Sequence, residues 1–364
     1  NRKLEYTMIK KECFTTEWIE QVSSELHYND KNLIEKVIRA LSLLEMLVKA
    51  GCPLVFKGGT ALMLILGKSA HRLSIDIDVI CPPGTNIENY LKSFADFGFI
   101  DLELVERKQR DDADIPKSHS KFFYQISYRN DTDAQSYILL DVLYEDIHYF
   151  HTQQIAIDCP FIRLEGEPLM VTVPSAGDIL GDKLTAFAPN TTGIPYYKNG
   201  RTCSMEIAKQ LYDVGRLFEN VSNLRITTEA FRKIAVVELS YRSLGTDIGQ
   251  VFNDIRQTAL CISTRGKAGE GDFDLIQDGI IRVKSFMYKQ RYLIDNAIID
   301  AARAAYLATL IEKGISETAF YSNNPIDIKD LVIRPSLTNK LNKLKSNLPE
   351  AYYYWAKTSE LLEA

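Results

Sequence analysis

The sequence predicts an α+β fold in two parts: a mixed α/β domain over residues 1–190, with helices at its start, and an all-helical domain over 200–364. Three observations carry this. Up to Pro174, short alternating apolar runs interleave with segments of helical spacing. From Thr202 onward the apolar spacing is helical almost throughout. Between them, Pro189 to Gly200 holds Asn190, Gly193, Pro195 and Asn199, a concentration of turn formers that reads as a linker.

The elements follow in order. Leu33, Ile34, Val37, Ile38, Leu41, Leu44 and Leu47 recur at helical spacing, so a helix runs from Asn32 to Ala50, capped by Asn29 or Asp30 and stopped by Gly51 and Pro53. A strand, Leu54 to Lys57, enters a Gly-Gly turn, and Ala61 to Leu66 is helical. A second strand carries Asp76 and Asp78 and ends at Pro82-Pro83-Gly84. A helix is expected over Ile87–Phe97, a strand over Ile100–Val105 and a loop over Lys108–Lys117. Phe122–Tyr128 and Tyr137–Tyr144 alternate around Arg129–Asp133 and read as a hairpin. Gln154–Ile157 and Met170–Val173 are short strands. Ser175 caps a helix over Ala176–Ala188. Later helices are expected near 203–219, 227–242, 246–261, 272–288, 291–313 and 349–362.

Composition narrows the function class. Hydrophobic residues make up 46% and charged residues 25% of the 364, as in ordinary globular proteins. No uncharged apolar run approaches about 18 residues, so no membrane span is expected. The first residues do not read as a secretory signal. The six cysteines are scattered without Cys-x-x-Cys spacing, which fits reduced thiols in a cytoplasm better than a zinc site or a disulfide framework. His148 and His151 lack companion ligands. A net charge of −5 argues against a polycation that coats nucleic acid. Two basic clusters, Arg334–Lys345 and Arg282–Arg291, read first as solvated faces and otherwise as phosphate-backbone contacts.

The chemistry concentrates in two motifs. Phe56-Lys57-Gly58-Gly59-Thr60-Ala61-Leu62 places a glycine turn at a helix start, where free N–H groups and the positive dipole end suit phosphate. Gly58 and Gly59 let backbone approach a ligand, and Thr60 adds a hydroxyl. Arg72-Leu73-Ser74-Ile75-Asp76-Ile77-Asp78 follows. Residues two apart on a strand share a face, so Ser74, Asp76 and Asp78 project together. Two carboxylates side by side call for a cation, and oxygen ligands suit Mg²⁺ (or Mn²⁺) completed by substrate phosphates. Asp141, a lone charge in Ile138-Leu139-Leu140-Asp141-Val142-Leu143, is the candidate third metal ligand and proton acceptor, or else a carboxylate satisfied by backbone N–H groups. Lys183 lies beside the buried stripe of Leu180, Leu184 and Phe187. Lys209 and Asp213 are spaced as an i,i+4 pair.

Taken together, these residues resemble the AbiEii family of nucleotidyltransferase-like toxins. The Gly-Gly-Thr-Ala-Leu and Arg-Leu-Ser-x-Asp-Ile-Asp motifs match closely, and Lys183-Leu184-Thr185-Ala186 matches the family's second motif. Lys209-Gln210-Leu211-Tyr212-Asp213 matches the third in part, with Ile207 and Gln210 where the family commonly has Arg and Asp. The resemblance spans roughly residues 30 to 220. It implies a polymerase-β-type domain with a mixed sheet followed by a helical domain. It also implies transfer of a nucleoside monophosphate from an NTP, a toxin role with a separate antitoxin protein, and in some relatives action on tRNA. Asp76, Asp78, Asp141, Lys183 and Asp213 are then the catalytic candidates, the first three being the metal set. Gly58, Gly59, Thr60, Ser74 and Lys209 are the nucleotide-binding candidates. A small-molecule or protein acceptor, and a nucleotide-binding module without catalysis, remain the competing readings.

Overall fold

The computed structural model describes residues 8–105, 117–128, 134–245 and 247–364. The chain groups into two compact units, one of residues 1–147, 152–174 and 286–291, the other of residues 148–151, 175–285 and 292–364.

The first unit is built on a five-stranded mixed sheet in the order β1-β2-β5-β4-β3. Its strands are β1 (Val55–Lys57), β2 (Ile77–Cys81), β3 (Asp101–Val105), β4 (Lys117–Gln125) and β5 (Gln135–Tyr144). β2 and β5 run parallel; the other pairings are antiparallel. A smaller antiparallel pair, β6 (Thr152–Ala156) and β7 (Met170–Pro174), belongs to the same unit. Helix α1 spans Thr16–Glu25 and α2 spans Lys31–Lys49. Asp30 caps α2 by accepting from the Leu33 N–H, and Gly51 at φ +74° follows its end.

Alternation divides the sheet into two faces. Ile77 and Val79 sit in register with Leu140 and Val142, and Phe56 with Val79. All five are buried, in one core with the apolar stripe of α2, which packs on β2 and β5. Burying side chains of this size stabilises by about 1.5–3 kcal/mol each. The inner side of α2 also carries a charged clasp: Arg39 pairs with Glu35 at 3.2 Å and donates to the Gly98 carbonyl at 3.1 Å.

Three sequence expectations are adjusted. The helix expected over Ile87–Phe97 is two short 3₁₀ turns, Ile87–Tyr90 and Phe94–Phe97, the second ended by Gly98 in the left-handed region at φ +81°. Helix α3 begins at Gly58, not Ala61, and runs to Leu66. Of the expected loop Lys108–Lys117, Lys117 opens β4 and the rest lies outside the described residues, as does the turn Arg129–Asp133.

The second unit is helical apart from the small hairpin β8 (Tyr197–Lys198) and β9 (Arg201–Thr202). Its main helices are α4 (Ala176–Ala186), α5 (Ser204–Phe218), α6 (Arg225–Tyr241), α7 (Gly249–Ser263), α8 (Phe273–Val283), α9 (Ile294–Glu312) and a C-terminal helix, Pro349–Glu363. Ser175 caps α4. The alanine-rich α9 packs against α5, α7 and the C-terminal helix, small side chains allowing close approach. Among the described residues, no helix is long and apolar enough to cross a membrane.

Candidate active site

The glycine turn is where β1 becomes α3. Gly58 has φ +81°, a conformation glycine adopts without a Cβ penalty. A Cβ there would lie 2.2 Å from Oδ2 of Asp78, so the Asp78 carboxylate rests directly on the turn's backbone. A Cβ on Gly59 would lie 2.6 Å from Oγ of Ser74 and 2.9 Å from Nη2 of Arg72. Both glycines are therefore needed for close approach. Thr60 is buried, and its hydroxyl donates to the Asp76 carbonyl at 2.7 Å. That bond fastens the start of α3 to the acidic segment and uses the one hydroxyl proton. A phosphate contact at Thr60 then falls to its backbone N–H.

The sheet register sets a polar row opposite the apolar core. Lys57 on β1 partners Asp78 on β2, Asp78 partners Asp141 on β5, and Asp141 partners His119 on β4. Directly opposed residues of neighbouring strands present their side chains on one face, about 5 Å apart. Asp76 stands immediately before β2. The first unit thus sets Asp78 against Gly58 and Ser74 against Gly59, with Asp141 beside Asp78 in register and Asp76 tied through its carbonyl to Thr60. Lys57, Arg72 and His119 are the members that sequence reasoning left without a role. His119 Nδ1 donates to Asp141 Oδ1. The buried Arg72 donates from Nη1 to the Leu73 carbonyl at 3.1 Å while Nη2 faces Gly59.

Among the described residues, no three His, Cys, Asp or Glu side chains group to hold an ion by themselves. The set Asp76, Asp78 and Asp141 is therefore not a protein-only cage, and Asp141 already has His119 as partner. Mg²⁺ at phosphoryl-transfer sites takes only one or two carboxylates, its remaining ligands coming from phosphate and water. Asp76 and Asp78 fit that requirement. They are hard oxygen donors, and the Asp78 carboxylate abuts the helix start that suits phosphate. A phosphate held there would face a like charge unless a cation lay between.

The remaining candidates belong to the second unit. Lys183 on α4 is buried, next to the stripe of Leu180, Leu184 and Phe187, and its Nζ pairs with Asp213 Oδ2 on α5 at 3.0 Å. The two side chains are only 9% and 1% exposed, so the pair is a buried one and losing either charge is costly. Lys209 lies one turn before Asp213 on the same helix.

The chain matches the family described as nucleotidyl transferase AbiEii toxin, type IV toxin–antitoxin system, over residues 41–347. Among solved structures it is similar to JHP933 from Helicobacter pylori at 17% identity, with 77% of this chain and 94% of that chain covered and a TM-score of 0.39. It is similar to MenT4, a nucleotidyltransferase toxin from Mycobacterium tuberculosis H37Rv, at 12% identity, with 80% and 89% covered and a TM-score of 0.42. No curated protein matches the chain.

Proposed function

Because the chain belongs to the AbiEii family of nucleotidyl transferase toxins of type IV toxin–antitoxin systems, we propose that it moves a nucleoside monophosphate from an NTP to a hydroxyl of an RNA acceptor, tRNA foremost, with Mg²⁺ or Mn²⁺. Family membership makes it a nucleotidyltransferase and implies a cognate antitoxin. The substrate, ion, acceptor and a cytoplasmic site of action are our reading.

The roles follow from the residues. Backbone N–H groups at Gly58, Gly59 and Thr60 hold phosphate oxygens at the start of α3. Arg72, against Gly59, adds fixed positive charge, and Ser74 adds a hydroxyl. Asp76 and Asp78 hold the ion. When bound, the ion neutralises phosphate charge and acidifies the attacking hydroxyl. Asp141 accepts the proton of that hydroxyl, and pyrophosphate leaves. Lys183 and Asp213, matched to the family's second and third motifs, form a buried ion pair of the helical unit that the reaction requires. Catalysis of this kind is mostly positioning and charge stabilisation.

The observation that carries the reading is the Gly58–Asp78 contact, which joins a phosphate-suited backbone to a metal-suited carboxylate. The test incubates the purified chain with each α-labelled NTP and separate RNA, protein and small-molecule fractions. Label entering RNA, with release of pyrophosphate, is the expected outcome. Label confined to protein or small molecules would replace the acceptor, and no incorporation anywhere would overturn the proposal.

A further inference from the structure

We infer that His119 is a positioning residue for nucleotidyl transfer, acting through Asp141. This rests on the proton-accepting role proposed for Asp141. The sheet register places the two residues directly opposite one another on β4 and β5. The His119 side chain is 18% exposed and that of Asp141 36%. Nδ1 of His119 meets Oδ1 of Asp141, and a carboxylate only accepts, so the ring carries its proton on Nδ1. The other carboxylate oxygen, Oδ2, is left for the acceptor hydroxyl.

Two features separate this from an ordinary cross-strand pair. Nε2 of His119 is buried and has no hydrogen-bond partner among the described residues. A pair selected for stability alone gains nothing from a stranded ring nitrogen, since an apolar pair would fill the same place at less cost. Asp141 also lies between His119 and Asp78 in the row across β4, β5 and β2. Without His119 its carboxylate could rotate about its last torsion, which is broad for Asp. With one oxygen held, the other stays directed for proton transfer.

The step balances. The acceptor O–H bond breaks and its proton passes to Asp141 Oδ2. The oxygen forms a bond to the α-phosphorus of the NTP, and the α–β P–O bond breaks to release pyrophosphate. His119 keeps its own proton throughout.

The test compares wild type, His119→Leu, His119→Asn, Asp141→Asn and the His119→Leu/Asp141→Asn double variant. All are assayed for transfer of α-labelled nucleotide to total RNA, with melting curves for each. Asn places an amide donor near the position of Nδ1, so it should restore what Leu removes. His119→Leu should lower kcat by about tenfold or more, leave KM for NTP within about twofold, and leave melting in place. His119→Asn should recover to within about threefold of wild type. In the Asp141→Asn background, which should itself lose about a hundredfold or more, His119→Leu should add nothing. Wild-type kcat in His119→Leu beside a dead Asp141→Asn overturns this inference alone, as does a kcat loss that tracks lowered melting and is not rescued by Asn. Wild-type turnover in Asp141→Asn, or no transfer by wild type, overturns the reading of Asp141 and this inference with it.

Discussion

The Asp78 carboxylate occupies the space a side chain at position 58 would need: a Cβ on Gly58 would sit 2.2 Å from Asp78 Oδ2. Gly58→Ala therefore meets two penalties, the left-handed backbone at φ +81° and a clash with a group proposed to hold the ion. Gly51 supplies the control, since it has φ +74° and no atom within 4 Å of an added Cβ. Both substitutions should cost about 1–2 kcal/mol through the backbone, read by urea denaturation. Only Gly58→Ala should also lose nucleotide transfer. Equal activity in the two variants would separate the turn from the chemistry.

The Lys183–Asp213 pair distinguishes stability from chemistry in another way. Removing Lys183 alone takes the paired cation from a carboxylate that is 1% exposed, and Lys183→Ala should cost about 3–5 kcal/mol. The double variant Lys183→Met/Asp213→Leu removes both charges and should regain most of that loss. If the pair is required for transfer, the double variant recovers its melting temperature and stays inactive. Recovery of both would make the pair structural.

Ser74 Oγ lies against the backbone of Gly59, 2.6 Å from the place of an added Cβ. A phosphate or a glutamate at position 74 would bring negative charge beside the acids and where NTP phosphate is proposed to bind. Ser74→Glu should abolish NTP binding measured by calorimetry, while Ser74→Ala should weaken it by no more than about tenfold, the scale of one hydrogen bond. Unchanged binding by Ser74→Glu would remove Ser74 from the phosphate site.

Stability of the helical unit should show a defined pH dependence. Asp300 is fully buried; burial pushes its carboxyl up, opposed by Arg216 and Arg303. Arg303 pairs with Asp300 at 3.3 Å and is 8% exposed. A raised folded-state value favours the protonated fold, so the Asp300 contribution is full below its unfolded value and is lost as pH rises through the folded one. Arg303→Ala removes one lowering influence and raises Asp300 further. Its deficit relative to wild type should be about 3–5 kcal/mol at neutral pH and should shrink as pH falls through the raised Asp300 value. A deficit independent of pH in parallel denaturation curves would contradict this.

Most elements were legible because one buried face imposes a period. The helix Lys31–Lys49 and the strands around Val79 and Leu140 carry theirs openly. Residues 87–97 misled because Ile87 and Leu91, four apart, are both buried as on an α-helix, while the chain there takes two separate 3₁₀ turns. Asp78 and Asp141 stood out as charges within apolar strands, and Asp76 as one just before β2. The roles of His119 and Lys183 were not legible. His119 meets Asp141 only through the β4–β5 register, which no motif in the sequence announces. Lys183 meets Asp213 across two helices, a tertiary contact that no local period encodes.

The most direct measurement is transfer of α-labelled nucleotide to RNA by wild type and by Asp76→Asn/Asp78→Asn, each with Mg²⁺ and with the ion chelated. Labelled RNA should form only with wild type plus Mg²⁺, while the double variant melts as wild type does. Transfer by the double variant, or transfer undiminished by chelation, would contradict the assignment of Asp76 and Asp78 as the ion-holding pair.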